Sequence, residues 1–406
     1  MQKRAEAVER KVVEAKEQER RREARSRPRA AIEPAIYEDR DAEQPFRAGW
    51  VALLGRPNVG KSTLLNALLG QKLAATTHKP QTTRKNLLGA LNPPGAQLLI
   101  LDTPGHHQAK GPLNRFMVAQ AEDAVRNADV IAFVVEARTD GKLTPGNTRL
   151  LEVVKKADKP VVVVLNKIDL VKDKQGMLHQ IAALNEALGE RLEGLVPISA
   201  RGLDGLEDLV RSLARALPEA EAPIIDEEEV TDQSESQIVA ELIREKAMIE
   251  LKDELPYSVA VTLDRFEDIR PKLVRIIATL HVERPSQKGI VIGKQGVRLK
   301  AIGARARKDI EFLVGCKVYL ELAVRVTTDW TRDQRRLKDL GYTKTKDEGG
   351  PTAQEVADAI AQLPPEVLAE LEADDFDAED DFDDEDDLED DEGLEGEALE
   401  EEEEEA

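Results

Sequence analysis

Eight residues constrain this chain more than any other feature. Gly55-Arg56-Pro57-Asn58-Val59-Gly60-Lys61-Ser62 fits the pattern G-x-x-x-x-G-K-[ST] and stands between the apolar run Trp50–Leu54 and a stretch with helical periodicity, Ser62–Leu69. A loop of this kind between a buried strand and a helix turns its backbone N–H groups inward and adds the positive end of the helix, which makes a cradle for phosphate oxygens. Lys61 is then placed to bridge two phosphates and the Ser62 hydroxyl to ligate Mg²⁺, with Thr63 beside it in the first helical turn. The geometry requires a strand that delivers the loop at its C-terminal edge.

The surrounding sequence supplies one. Buried-strand runs are predicted at Trp50–Leu54, Leu98–Leu101, Val130–Val135, Val161–Leu165 and Val196–Ile198, separated by helix-like stretches at Asn114–Asn127, Asn147–Lys156, Gln175–Leu188 and Leu206–Leu217. Such alternation implies a mainly parallel sheet with helices on both faces. The Pro- and Glu-rich segment from Pro218 lacks periodicity and reads as a linker. Beyond it the expected order is helix (Ser236–Leu251), strand (Ser258–Arg265), strand (Val274–Glu283), helix (Arg298–Leu313) and strand (Lys317–Thr327). The expected divisions are therefore a charged extension at 1–45, an α/β domain at 46–217, a linker at 218–234, an α+β domain at 235–342 and an acidic tail at 343–406. A helical stretch at Thr352–Asp374 is expected before the tail, and both termini are expected to be largely disordered.

Three further motifs fall at strand ends, in order. Asp102-Thr103-Pro104-Gly105 closes the Leu98–Leu101 run, with Asp102 placed for the Mg²⁺ shell and the Gly105 N–H for the γ-phosphate. Asn166-Lys167-Ile168-Asp169 follows the Val161–Leu165 run, where open sheets bind ligands. The Asp169 carboxylate can accept from guanine N1–H and N2–H₂, whereas adenine would leave it unpaired; Ser199 and Ala200 can offer backbone N–H groups to guanine O6. GTP and GDP with Mg²⁺ are therefore the expected ligands, on a P-loop GTPase fold. Thr76–Arg84 reads as a switch loop, with Thr83, or alternatively Thr82, reaching Mg²⁺. The residue after Gly105 is His106, which either helps to position the attacking water or simply packs or faces solvent. Lys61, Thr83, Gly105 and His106 form the candidate catalytic set, and slow unstimulated turnover is expected.

In the second domain, Gly293-Lys294-Gln295-Gly296 precedes a stretch carrying Arg298, Lys300, Arg305, Arg307 and Lys308. Glycines at that spacing let a nucleic-acid backbone approach, and an apolar platform alongside can hold unstacked bases. Gly293, Lys294, Gln295, Gly296, Arg298 and Lys300 are the candidate RNA-binding residues, in a prokaryotic (type II) KH arrangement.

The net charge of −22 argues against a nucleic-acid partner only until it is localised. From Leu371 to Ala406 there are 24 Asp/Glu and no Lys/Arg, so the rest of the chain is near neutral. The tail suggests either a solubilising role or a competitor for the RNA surface. A single cysteine, Cys316, leaves no disulfide within the chain and fits a reducing compartment. No apolar run approaches the ~18 residues of a spanning helix. The Arg-rich N-terminal stretch is also rich in Glu, unlike a targeting leader, so a cytoplasmic location is expected.

With these pieces in place, residues 46–342 resemble the Era family, bacterial GTPases with a C-terminal KH domain. The resemblance is carried by GRPNVGKSTLLNALLGQKLA, PQTTR, DTPG, NKID, ISA, IREK, ELPYSVAV, GIVIGKQG and DWTRD. It implies a GTPase that binds 16S ribosomal RNA near its 3′ end and assists maturation of that RNA and assembly of the small (30S) subunit, with GTP state coupled to RNA access. It implies peripheral contact with the inner face of the membrane in some members; no DNA partner and a monomer are expected. Asn58 matches a P-loop asparagine that supports K⁺ binding in related GTPases. His106 departs from the apolar residue usual there, and the two extensions lie outside the resemblance.

Overall fold

The computed structural model describes residues 45–105, 111–138, 143–172, 175–270 and 272–342. His106, the charged extension up to residue 44, the stretch Thr352–Asp374 and the acidic tail lie outside the described residues. All described residues belong to one compact unit that ends at Lys344.

The first sheet has six strands: β1 (Arg47–Gly55), β2 (Leu87–Leu91), β3 (Ala96–Asp102), β4 (Val130–Glu136), β5 (Val161–Asn166) and β6 (Leu192–Pro197), in the spatial order β2-β3-β1-β4-β5-β6. All neighbours are parallel except β2 with β3. Successive side chains of a strand point to opposite faces, and β1 divides accordingly. Val51 and Leu53 pack with α1 (Lys61–Leu69) and α5 (Leu206–Ala216), while Ala52 and Leu54 pack with α2 (Pro112–Asn127), α3 (Pro145–Ala157) and α4 (Gln175–Leu188). A strand buried on both faces must be apolar almost throughout, which is why Val161–Leu165 reads as an unbroken apolar run.

The sequence reading does not include β2. Leu87-Leu88-Gly89-Ala90-Leu91 is short and pairs antiparallel at the sheet edge, where the segment from Pro218 onward covers it. Ala90 N–H donates to Val230 O at 2.8 Å, and the Gln97 side chain binds the backbone of Ile224 and Ile225. The expected linker is therefore a strap that protects an otherwise open edge.

The second sheet, β7 (Ala260–Arg270), β8 (Leu273–Val282) and β9 (Lys317–Val326), is ordered β7-β8-β9, antiparallel then parallel. One face is covered by α6 (Glu235–Glu250) and α8 (Val297–Val314). Ser234 and Gln237 form a reciprocal cap at the start of α6. A short helix, α7 (Pro285–Ile292), lies where no helix was expected, and α9 (Gln334–Asp339) follows the sheet. The order α-β-β-α-α-β is that of a type II KH domain. The apolar cluster under α1 and α5 continues into the KH core, so the two sheets are not separate bodies joined by a tether.

Candidate nucleotide site and nucleic-acid interface

Gly55 ends β1, and the backbone turns through Asn58 (φ 64°) and Gly60 (φ 103°) before α1 begins at Lys61. Gly60 is required twice over, by its positive φ and because a Cβ there would sit 2.3 Å from Asn166 Nδ2. Arg56 and Asn58 are exposed, and their side chains bond Thr144 Oγ1 and His78 O. Lys61 is buried and turned into the loop, where Nζ donates to Gly55 O at 3.1 Å and Arg56 O at 3.3 Å. Burial lowers its pKa to about 8, with Asp102 opposing the shift. An ammonium in that position gains most from phosphate anions placed in the cradle.

Asp102 closes β3 and is fully buried. Its Oδ2 accepts from Ser62 Oγ at 2.6 Å and Thr83 Oγ1 at 3.1 Å, and the two hydroxyls are 2.7 Å apart. Among the described residues, Asp102 Oδ1 is buried without a partner. Burial raises the carboxyl pKa, opposed by Lys61 and by the bonds from Ser62 and Thr83. Hard oxygen donors converging around a buried, half-satisfied carboxylate fit Mg²⁺. Of the two candidate threonines, Thr83 faces this oxygen cluster, whereas Thr82 Oγ1 is engaged with Thr77 Oγ1 and Lys79 O. Thr103 Oγ1 donates to Leu53 O at 2.6 Å, and Pro104 and Gly105 lie buried against the P-loop. A Cβ on Gly105 would come within 2.8 Å of the Pro57 backbone, so the two phosphate-facing loops touch.

Asn166 ties the base side together. Its Nδ2 donates to Val59 O at 2.8 Å, while Oδ1 accepts from Lys167 N and Ala200 N. Lys167 has a positive φ of 68°, and its ammonium pairs with Glu136 at 3.2 Å. Asp169 is exposed and accepts from Ser199 Oγ at 2.6 Å. The Ser199 N–H donates to Asp204 O in a β-bridge, and the Ser199 hydroxyl reaches Asp169. The Ala200 N–H is held by Asn166. Thr63 is half-buried in the first turn of α1.

In the KH domain, α7 ends at Gly293 (φ 73°), Gln295 and Gly296 also take positive φ (53° and 77°), and α8 starts at Val297. A Cβ on Gly293 would meet Arg298 Cβ at 2.9 Å. Lys294, Gln295 and Lys300 are exposed, as are the apolar side chains of Ile290 and Val297 on either side of the turn. Arg298 Nη1 donates to Ile290 O at 2.5 Å, which places the guanidinium at the end of α7.

Sequence reasoning missed the contact between the switch loop and the KH domain. Thr76 N–H donates to Glu245 Oε2 at 3.1 Å, Lys79 Nζ donates to Met248 O at 2.5 Å, and Arg244 Nη2 donates to Thr82 O. Lys72 and Lys246 are interleaved with Glu245 and Asp309, linking the end of α1 to α6 and α8. Arg84 is buried among Tyr257, Val259, Trp330 and Tyr342. The only signal in the sequence was scarcity: in a chain with 3% aromatics, Trp330 and Tyr342 fall close together at the end of the KH domain.

A family model described as a 50S ribosome-binding GTPase matches residues 50–167, and a KH-domain model matches 254–331. GTPase Era of Geobacter metallireducens is 47% identical over 306 residues, covering 74% of this chain and 100% of the relative. The chain belongs to the Era GTPase family. GTPase Era of Geotalea uraniireducens is 48% identical over 300 residues, with 99% of its length covered. Among solved Era structures, a single-substitution variant from Aquifex aeolicus bound to GDP·AlF₄⁻ shares 39% identity and superposes with a TM-score of 0.69, covering 73% of this chain and 99% of that one. An Era complex with MgGDPNP and nucleotides 1506–1542 of 16S ribosomal RNA matches with the same values. Membership of the Era family makes this a GTP-binding protein with an RNA-binding KH domain.

Proposed function

We propose that this chain is a slowly hydrolysing GTP switch that binds 16S ribosomal RNA near its 3′ end through the KH domain and assists maturation of that RNA and assembly of the small ribosomal subunit. The functional division is a GTPase domain at 46–217, a strap at 218–234 and a KH domain at 235–342. The observation that carries the reading is the Gly293–Gly296 turn. Its two positive-φ glycines place side-chain-free backbone at the turn, flanked by exposed Ile290 and Val297 and by basic Lys294 and Lys300. That combination suits an unstacked single strand better than a duplex groove.

Within the nucleotide site, Gly55–Thr63 with Asp102–Gly105 hold the phosphates, and Asn166, Lys167, Asp169, Ser199 and Ala200 hold the guanine. Ser62, Thr83 and Asp102 hold Mg²⁺, which when bound supplies charge stabilisation for the phosphoryl oxygens. Lys61 offsets the developing charge, and Thr83 and Gly105 report the γ-phosphate. Slow turnover is expected from the sequence, in which the residue after Gly105 is His106 and not a glutamine. Asn58 supports a K⁺ dependence, testable by comparing turnover in Na⁺ and K⁺. The proposed setting is the cytoplasm; among the described residues no helix is long and apolar enough to cross a membrane.

The test is a binding titration of the full chain with an RNA copied from the 16S 3′ end, beside a scrambled RNA and a Gly293→Asp variant. Cognate RNA is expected to bind more tightly than scrambled RNA, with affinity falling steeply as salt rises, and the variant to lose binding. Equal affinity for both RNAs, or an unaffected variant, would remove the KH loop as the RNA site.

A further inference from the structure

Thr83 and Arg84 are adjacent in the chain and serve different domains. Thr83 joins Ser62 and Asp102 in the oxygen cluster of the nucleotide site. Arg84 turns the other way, into the KH domain, where its side chain is almost wholly buried. Its Nη1 donates to Val259 O at 2.9 Å and Tyr342 Oη at 3.1 Å, and its Nη2 to Tyr257 O at 2.8 Å. The guanidinium carbon lies 5.5 Å from the Trp330 ring centre and 5.7 Å from that of Tyr342, and these rings stack at 5.7 Å. Trp330 is itself fixed by an Nε1 bond to Ser258 O at 3.0 Å. A planar fork of donors over two ring faces is the environment that arginine fills and lysine does not.

Two features make this socket decisive for Thr83. The carbonyl of Thr82, just before it, accepts from Arg244 on α6, so the loop is pinned to the KH domain on both sides of the metal-facing residue. Beside it lies a cavity of about 370 Å³ lined by Thr83, Arg84, Asp102, Gln237, Glu241 and Tyr342. A loop bordered by a void is held by its anchors more than by packing. The socket also meets the α/β domain at α2, because Phe116 packs edge-on against Tyr342 at 6.1 Å and Leu113 N–H reaches Thr331 O.

We propose that Arg84 is a positioning residue for the Thr83 hydroxyl, and that the KH domain, through the Trp330–Tyr342 socket, is a built-in part of the GTP-sensing site. This rests on the reading of Thr83 as a Mg²⁺ ligand. GDP lacks the γ-phosphate that recruits the switch loop, so loss of the anchor weakens triphosphate binding and spares diphosphate binding. A residue needed only for folding would weaken both or neither.

The test uses the full chain carrying Arg84→Ala, Arg84→Lys or Thr83→Ala. Dissociation constants for GDP and for GDPNP are measured at fixed Mg²⁺, with thermal melting as a control. Arg84→Ala is expected to weaken GDPNP about tenfold, the size of one lost hydrogen bond to a charged group, while GDP affinity stays unchanged. Arg84→Lys, which keeps the charge without the fork, is expected to fall between. If Thr83→Ala lowers the GDPNP preference and neither Arg84 variant does, the anchor is overturned and the metal-ligand reading stands. If Thr83→Ala leaves the preference unchanged, the metal-ligand reading fails and the anchor with it. Should the alanine variant not fold, the lysine variant decides by the same ratio.

Discussion

At the scale of single residues, Asp102 is a carboxylate buried beside two hydroxyls with one oxygen unpartnered among the described residues. Replacing it by Asn keeps the shape and removes the charge on which Mg²⁺ depends. Asp102→Asn is expected to lower Mg²⁺-supported GTP turnover by about 10²-fold, measured by phosphate release at saturating nucleotide. Gly60 makes a backbone prediction. Ala there would have to hold φ near 103° and drive its Cβ into Asn166 Nδ2. Gly60→Ala is expected to cost about 1–3 kcal/mol of stability and to reduce GTP affinity, by denaturant titration and nucleotide binding respectively. Lys61, Ser62, Asp102 and Asn166 were legible in the sequence because each stands at a strand end or opens the helix that follows, where chain order dictates position. The bonds from Ser199 N–H to Asp204 O and from Arg298 Nη1 to Ile290 O were not, because both partners are selected by local geometry that residue type does not encode.

At the scale of elements, the KH sheet carries a titratable group of its own. His281 on β8 is buried, with Nε2 2.9 Å from Thr262 Oγ1 on β7 and Nδ1 2.9 Å from Thr327 Oγ1 just past β9. Burial, and then the charge of Arg325, hold its pKa below the ordinary 6.5. Below pH 6.5 the unfolded chain takes up a proton that the folded sheet resists. The stability linked to His281 is therefore complete above that pH and is lost as pH falls toward the depressed native value. A His281→Gln variant is expected to show a flatter pH dependence of melting temperature across that acidic window; an unchanged dependence would assign the effect to another group. The buried parallel strands were legible from apolar runs alone. The edge strand β2 was not, because its partners include Val230 in the strap, far along the chain. Nor was α7, where Gly289, Ile290, Val291 and Ile292 favour helix poorly and Pro285 with Gln287 fixes its start.

At the scale of the molecule, the order of motifs disclosed the two activities but not their junction. The Arg84 bonds to Val259 and Tyr342 span 175 and 258 residues, distances over which a sequence pattern holds no register. The Thr76–Arg84 loop beside the nucleotide site is nonetheless bonded to the helix layer that carries the Gly293–Gly296 turn, through Arg244, Glu245 and the Met248 carbonyl. Such a junction lets each site bias the other, so ligation of the KH surface should be felt as a change in GTP turnover. The most direct measurement is phosphate release by the full chain in K⁺ buffer, alone and with an RNA copied from the 16S 3′ end, beside a scrambled RNA and the Gly293→Asp variant. Stimulation that requires both the cognate RNA and the intact loop is the expected result. Turnover that stays constant while the cognate RNA is demonstrably bound would contradict an RNA-coupled GTPase and leave a nucleotide-gated placeholder in its stead.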